Sequence, residues 1–227
     1  MIVTLDGPAG SGKSSTARAV AARLGFRHLD SGAFYRALTR ALLDAGTQPA
    51  RWGGLTLTEL DDLQVWGEPA PEGYRLVARG VDITGRLRAP DVTAHVSALA
   101  ALPQVREWLL ERLRQAATGV DLVTDGRDMG TVVFPDADLK FFLVADAAVR
   151  ARRRLLEHGQ DPDAAGALAA EVARIEARDL ADSERATAPL REPEAAIRLD
   201  TTHLSLEEQV DAIVAAVEAH REGEGLI

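Results

Sequence analysis

Gly7-Pro8-Ala9-Gly10-Ser11-Gly12-Lys13-Ser14 follows directly on a short apolar run, Ile2-Val3-Thr4-Leu5, and leads into a helix-forming stretch from Ser15 to Leu24. The eight residues satisfy G-x-x-x-x-G-K-[ST] in full, with the expected strand before and helix after. The physics of that arrangement is anion binding. Glycines let the backbone wrap close to a polyphosphate, successive N–H groups point inward, and the following helix adds its positive end. Gly7, Pro8, Ala9, Gly10, Ser11, Gly12, Lys13, Ser14 and Ser15 therefore form the expected ATP-binding loop. Lys13 reaches the β- and γ-phosphates, and the Ser14 hydroxyl is placed for Mg²⁺. A bare glycine-rich turn would explain the glycines but not the whole pattern in this context.

Lysine usage points the same way. The chain has 24 arginines and only two lysines, Lys13 and Lys140. A sequence so biased keeps lysine where a compact point charge on a flexible stem is needed. The 227 residues suffice for a substantial core, and 46% hydrophobic with 27% charged residues is the balance of a globular protein. A net charge of −9 leaves no basic field to draw in nucleic acid or an anionic membrane. Phosphate chemistry must then use local arginine clusters. Cysteine is absent, which excludes disulfides and thiolate catalysis. Asparagine is absent too, a bias expected of a heat-adapted source or a GC-rich genome. With no apolar run near membrane-spanning length and no leader pattern before the loop, the expectation is a cytoplasmic protein.

Five apolar runs read as buried parallel strands: Ile2–Leu5, Phe26–Leu29, Leu122–Thr124, Leu139–Val144 and Ala196–Leu199. Helical patterns cover Lys13–Leu24, Gly32–Ala45, Gln104–Ala117, Ala147–His158, Ala164–Ala181 and Ser205–Arg221. Alternation of this kind predicts a three-layer α/β fold, a five-stranded parallel sheet with helices on both faces and ligands at the carboxyl ends of the strands. Between about Leu63 and Arg88 the rhythm changes to short alternating runs separated by Gly and Pro, which predicts a small antiparallel β insert. The expected organisation is a core of residues 1–60 and 103–227, a helical lid at about 148–182, and an inserted subdomain at 61–102.

Four further segments carry chemistry. In Leu29-Asp30-Ser31-Gly32-Ala33-Phe34-Tyr35-Arg36, Asp30 or Ser31 is a plausible helix cap. Capping does not account for Arg36, which projects from the first turns toward a possible second phosphate. At the end of the third strand, Asp125 holds a position suited to Mg²⁺, directly or through water. Arg127 and Asp128 follow, either as a structural ion pair or as site residues. Arg150 and Arg154 share a helix face at i and i+4 and read as lid arginines over a triphosphate. Arg178, Asp182 and Arg185, at i, i+4 and i+7, form either an exposed ion-pair ladder or part of the same site.

Together these segments resemble the bacterial cytidylate kinase family, in the long form with an insert in its nucleoside monophosphate-binding region. The most specific pieces are Gly7–Ser15, Leu29 through Arg36, Asp125-Gly126-Arg127-Asp128-Met129-Gly130-Thr131-Val132-Val133-Phe134-Pro135, and Arg178 through Leu190. The resemblance implies a P-loop nucleoside monophosphate kinase fold and transfer of the γ-phosphoryl of ATP to CMP or dCMP with Mg²⁺. It implies Lys13, Arg127, Arg150 and Arg154 as catalytic cations, and Ser14 with Asp125 at the metal. Arg36, Arg127 and Arg185 would hold the acceptor phosphate beside Ser31; Arg178 and Asp182 would face the sugar; Ser97, Arg106 and Asp128 would read the cytosine edge. Cytosine offers an N4 amino donor, which a carboxylate accepts, and N3 and O2 acceptors for Arg and Ser. Ala181 departs from members with a further arginine there, and Arg152 lies at a variable lid position.

A switch GTPase would need an Asn/Thr-Lys-x-Asp motif, which neither lysine provides. Another P-loop small-molecule kinase is one alternative, disfavoured by the β insert and the Asp125–Pro135 run, and a non-kinase P-loop protein that only binds ATP, as a regulator or scaffold, is the other. The expected partners are small molecules, ATP and CMP or dCMP, with no nucleic acid and no membrane, and the chain is expected to be a monomer.

Overall fold

The computed structural model describes residues 1–71 and 73–223. Its elements in chain order are β1 (Ile2–Asp6), α1 (Lys13–Leu24), β2 (Arg27–Asp30), α2 (Ser31–Asp44), α3 (Leu57–Asp61), β3 (Val65–Ala70), β4 (Gly73–Ala78), β5 (Val81–Asp82), α4 (Pro90–Ala100), α5 (Pro103–Ala116), β6 (Leu122–Gly126), β7 (Leu139–Val144), α6 (Ala147–Glu157), α7 (Ala167–Glu184), β8 (Ile197–Asp200) and α8 (Leu206–Arg221). Two sheets result. One is five-stranded in the order β2-β6-β1-β7-β8, and the other is three-stranded, β3-β4-β5. The five expected strands and the antiparallel insert are all present, as is the α/β architecture. No helix among the described residues is long and apolar enough to cross a membrane.

The chain forms two compact units, residues 1–26 with 122–227, and residues 27–121. In the first, β1 runs parallel to β6, with Ile2 opposite Leu122, and parallel to β7, with Val3 opposite Leu139. A strand flanked on both edges and covered on both faces has no polar side to show, hence the near-continuous apolar run. The side-chain period of two then divides the labour. Val3 and Leu5 join Ala17 and Val20 of α1, Val123, Phe141 and Leu143, and Val210, Ile213 and Val217 of α8 in one core. Thr4 and Asp6 point to the other face. There Asp6 accepts hydrogen bonds from the backbone N–H groups of Met129 (2.8 Å) and Gly130 (2.7 Å).

Residues Met129–Val133 form a single π-helical turn, which the sequence pattern does not signal. The helix after β7 and the one leading out of Gly166 pack against each other, with Ala151 and Ile175 buried between them. The helix α7 stops at Glu184, because Arg185 has an extended backbone (φ −61°, ψ 140°). Arg185 thus lies beyond the helical face it was expected to share with Arg178 and Asp182.

In the second unit, α2 begins on Asp30, whose carboxylate accepts from Ala33 N–H at 3.0 Å, so the cap falls to Asp30 rather than Ser31. Phe34, Leu38 and Leu42 of α2, Val92, Val96 and Leu99 of α4, and Val105, Trp108, Leu109 and Leu113 of α5 are buried. Pro69 sits on β3, an edge strand, where its missing N–H costs no ladder bond. The span Pro90–Ala100 is helical, with Pro90 in the first turn.

Candidate active site

The phosphate loop leaves β1 through Gly7, where a Cβ would collide with the Leu143 carbonyl oxygen. Only glycine permits that approach. The loop enters α1 through Gly12, which is left-handed at φ 92° and provides no side-chain cap. The first turn of α1 carries no acidic residue either. Its N–H groups are therefore offered to an anion.

Lys13 is buried, and its Nζ donates to the Pro8 carbonyl at 3.0 Å. Burial pushes the ammonium down to about 7, and the positive charges of Arg127 and Arg178 act in the same direction, against Asp125 and Asp179. An ammonium under that pressure is poised to gain from a polyanion. Ser14 Oγ donates to Asp125 Oδ2 at 2.5 Å. The two expected metal residues, from α1 and the end of β6, thus meet directly. A hydroxyl and a carboxylate are hard oxygen donors that suit Mg²⁺, which keeps several waters and takes its other ligands from phosphate. Among the described residues there is no group of three or more His, Cys, Asp or Glu side chains arranged to hold a metal. A cation shared with a nucleotide fits these donors better than a protein-enclosed one.

Beyond Asp125 the chain passes through Gly126 to Arg127 and Asp128. Arg127 Nε donates to Asp182 Oδ2 at 2.9 Å. Arg185, just past α7, lies 3.6 Å from Asp182 and 3.7 Å from Asp128, and its Nε donates to Ala188 O. Three arginines, counting Arg178 near Lys13, and the carboxylates of Asp125, Asp128 and Asp182 therefore gather around the end of β6. Asp6 underlies this loop. Burial pushes its carboxyl up to about 6, with the charge of Asp128 adding to it, while the N–H groups of Gly130 and Met129 and the charge of Lys13 hold it down.

The arginines expected on a lid, and Arg153 between them, have definite partners. Arg150 Nε donates to Ala145 O and its Nη1 to Ala9 O, both at 2.9 Å, and Nη1 also pairs with Asp179. Arg154 Nε donates to buried Glu171 at 2.8 Å. Arg153 reaches the turn after β8 through Thr201 Oγ1 (3.1 Å) and Thr201 O (2.6 Å).

In the second unit, Ser31 is buried at the start of α2, and Arg36 Nη1 donates to Thr93 Oγ1 of α4 at 3.2 Å. Arg106 is buried, lies 5.4 Å from the centre of the Tyr35 ring, and donates to Ala100 O at 3.0 Å. Ser97 is an exposed residue of α4. Asp6, Arg153, Glu171 and Asp179 were not expected from the sequence. Of these only Asp6 left a signal, an acid closing an apolar strand, which burial makes costly unless donors await it.

The sequence model of the cytidylate kinase family matches residues 3–219. A cytidylate kinase from Stutzerimonas stutzeri (strain A1501) is 44% identical over 220 residues, covering 95% of this chain and 94% of that protein. One from Methylococcus capsulatus (strain Bath) is 44% identical over 222 residues, covering 96% and 97%. A bifunctional pantoate ligase/cytidylate kinase from Synechococcus elongatus is 45% identical over 223 residues; the chain spans only 41% of the length of that relative.

Proposed function

The chain belongs to the cytidylate kinase family, and on that premise we propose that it transfers the γ-phosphoryl group of ATP to CMP and dCMP with Mg²⁺ as cofactor. One observation carries this reading. The end of β6 serves both halves of such a reaction, since Asp125 bonds Ser14 of the phosphate loop while Arg127, two residues on, pairs with Asp182.

Phosphoryl transfer asks a protein for little covalent chemistry. It asks that two anions be brought in line, water be kept out, and charge be spread over fixed cations. The loop N–H groups and Lys13 take the β- and γ-phosphates. Lys13 is dehydrated in advance, so no solvent shell must be stripped from it as charge shifts to the transferring group. Mg²⁺, held through Ser14 and Asp125, would neutralise charge on the phosphate oxygens.

Arg127 and Arg185 hold the acceptor phosphate, Arg178 and Asp182 face the sugar, and Asp128 accepts from the cytosine amino group. The family reading adds Ser31, Arg36, Ser97 and Arg106 to the acceptor, with Arg150 and Arg154 on the ATP side. A coupled assay of ATP with AMP, CMP, UMP and dCMP tests the proposal. CMP and dCMP are expected to be phosphorylated far better than the others. Equal use of AMP, or turnover of no monophosphate, would overturn it.

A further inference from the structure

Asp179 holds the phosphate loop at Ala9. Its Oδ1 accepts from the Ala9 N–H at 2.9 Å, and its Oδ2 pairs with Arg150. Arg150 in turn donates to the carbonyl of the same residue, Ala9, at 2.9 Å. The Ala9 methyl is buried with Ala151 of α6 and Ile175 of α7, against partly buried Leu168 and Val172. N–H, C=O and side chain of one loop residue are thus all gripped by the α6–α7 pair. The pair is itself fixed at Arg150 to Ala145 and at Arg153 to Thr201.

A phosphate cradle works only if its N–H vectors are aimed before the anion arrives, because each loop torsion that must be ordered on binding weakens the complex. Ala9 is the loop residue between Pro8, whose carbonyl receives Lys13, and Gly10, which is left-handed at φ 75°. A turn of the Ala9 peptide would move both neighbours. We propose that Asp179 is a positioning residue for ATP: it acts through Ala9 and Arg150 to set the phosphate loop in its binding shape, without touching the nucleotide. This rests on the ATP-dependent reading above. A carboxylate suits the role because its two oxygens accept two bonds at once, one from a neutral amide and one from a guanidinium.

The test uses the full-length protein carrying Asp179→Ala, Asp179→Asn, Arg150→Met, or Asp179→Ala with Arg150→Met. Each is titrated with the Mg²⁺ complex of the non-hydrolysable β,γ-imido analogue of ATP, and KM is measured for ATP and CMP. Asp179→Ala is expected to weaken the analogue and raise KM for ATP about ten- to a hundred-fold, with KM for CMP within about twofold. Asp179→Asn keeps an oxygen for the Ala9 N–H but loses the charge facing Arg150, and should fall between. The double variant should be no worse than the worse single one, because both residues act on one peptide. Equal losses for ATP and CMP, a lowered Tm with unchanged analogue affinity, or tighter binding of the analogue would each overturn the proposal. Should Asp179→Ala not fold, unchanged affinity in Asp179→Asn overturns it. If the wild type binds the analogue yet phosphorylates no monophosphate, the kinase reading falls while the titration still decides Asp179.

Discussion

Arg127 Nε and Asp182 Oδ2 are 2.9 Å apart, with side chains only 16% and 18% exposed, joining the end of the central sheet to the last turns of α7. Fifty-five residues separate them. Breaking such a pair on one side leaves a desolvated charge, which costs more than the pair gains. Asp182→Ala is therefore expected to reduce kcat/KM for CMP by about ten- to a hundred-fold, corresponding to one charge-assisted contact. KM for ATP should change little. A larger loss on ATP than on CMP, in steady-state kinetics with each substrate varied, would place this pair on the donor nucleotide instead.

Lys13 is expected to link activity and stability with opposite signs. Its ammonium is held down to about 7 in the folded protein, against an ordinary value of 10.5. Between these two pH values the unfolded chain binds the extra proton, so stability rises with pH across that window. The full burden of the buried charge is carried below about 7. Lys13→Met should remove it and raise Tm at pH 7 by about 5 °C or more, while lowering kcat by several orders of magnitude. Lys13→Arg should also fail in turnover, since a planar fork cannot replace a compact charge. In the wild type, kcat/KM for ATP should fall as pH rises through about 7, and this limb is measured in a pH series. Near-full turnover by Lys13→Arg would remove Lys13 from the reaction.

Asp125→Asn should weaken the hold on Mg²⁺ while keeping an oxygen near Ser14. The expected signature is an activity that needs about tenfold more free Mg²⁺ for half-saturation, read by titrating the metal at fixed ATP. An unchanged metal requirement would make the Ser14–Asp125 bond a purely structural tie.

Gly130 has no room for a side chain. A Cβ there would lie 2.8 Å from Thr4 Oγ1 and 3.0 Å from Pro193 Cγ. Gly130→Ala must shift the π-helical turn against Asp6 and so misplace Arg127 and Asp128. KM for CMP is expected to rise severalfold more than KM for ATP. Equal effects on both would mean that the turn matters only for folding.

The proposed role of Asp128 is to read the base. A carboxylate accepts from the cytosine N4 amino group and repels the uracil O4. Discrimination against UMP of about 10²–10⁴ is expected. Asp128→Asn should lower CMP turnover and narrow the gap, measured as the ratio of kcat/KM values. An unchanged ratio would leave Asp128 as a partner of Arg185, from which it stands 3.7 Å.

The sheet was legible in the sequence because burial on both faces writes itself as apolar runs, and the phosphate loop because its glycines sit at fixed offsets. The Ser14–Asp125 meeting followed from strand ends sharing one edge of a parallel sheet. Arg150 and Arg154 were legible as a pair on one helix, but not their partners. Asp179 and Glu171 lie 29 and 17 residues on, and no local periodicity reports a contact at such a separation. The π-helical turn at Met129–Val133 escaped for the same reason: its Met129 and Gly130 N–H groups donate to Asp6, more than 120 residues away. Pro90–Ala100 was hidden by its framing prolines, which read as breaks although Pro90 serves as a helix start.

The register of β1 also dictates when the enzyme can exist during its own synthesis. Both neighbours of β1 lie far downstream, Leu122–Gly126 on one side and Leu139–Val144 on the other. Residues 27–121, by contrast, are one uninterrupted stretch with a core of their own. Made before that stretch, β1 must therefore wait, unpaired and apolar, while residues 27–121 are synthesised, on the order of ten seconds at ordinary elongation rates. On the proposed reading, nucleotide has no fixed loop to bind until β6 and β7 arrive. The segment proposed to bind phosphate is thus the one most in need of shielding in the nascent chain.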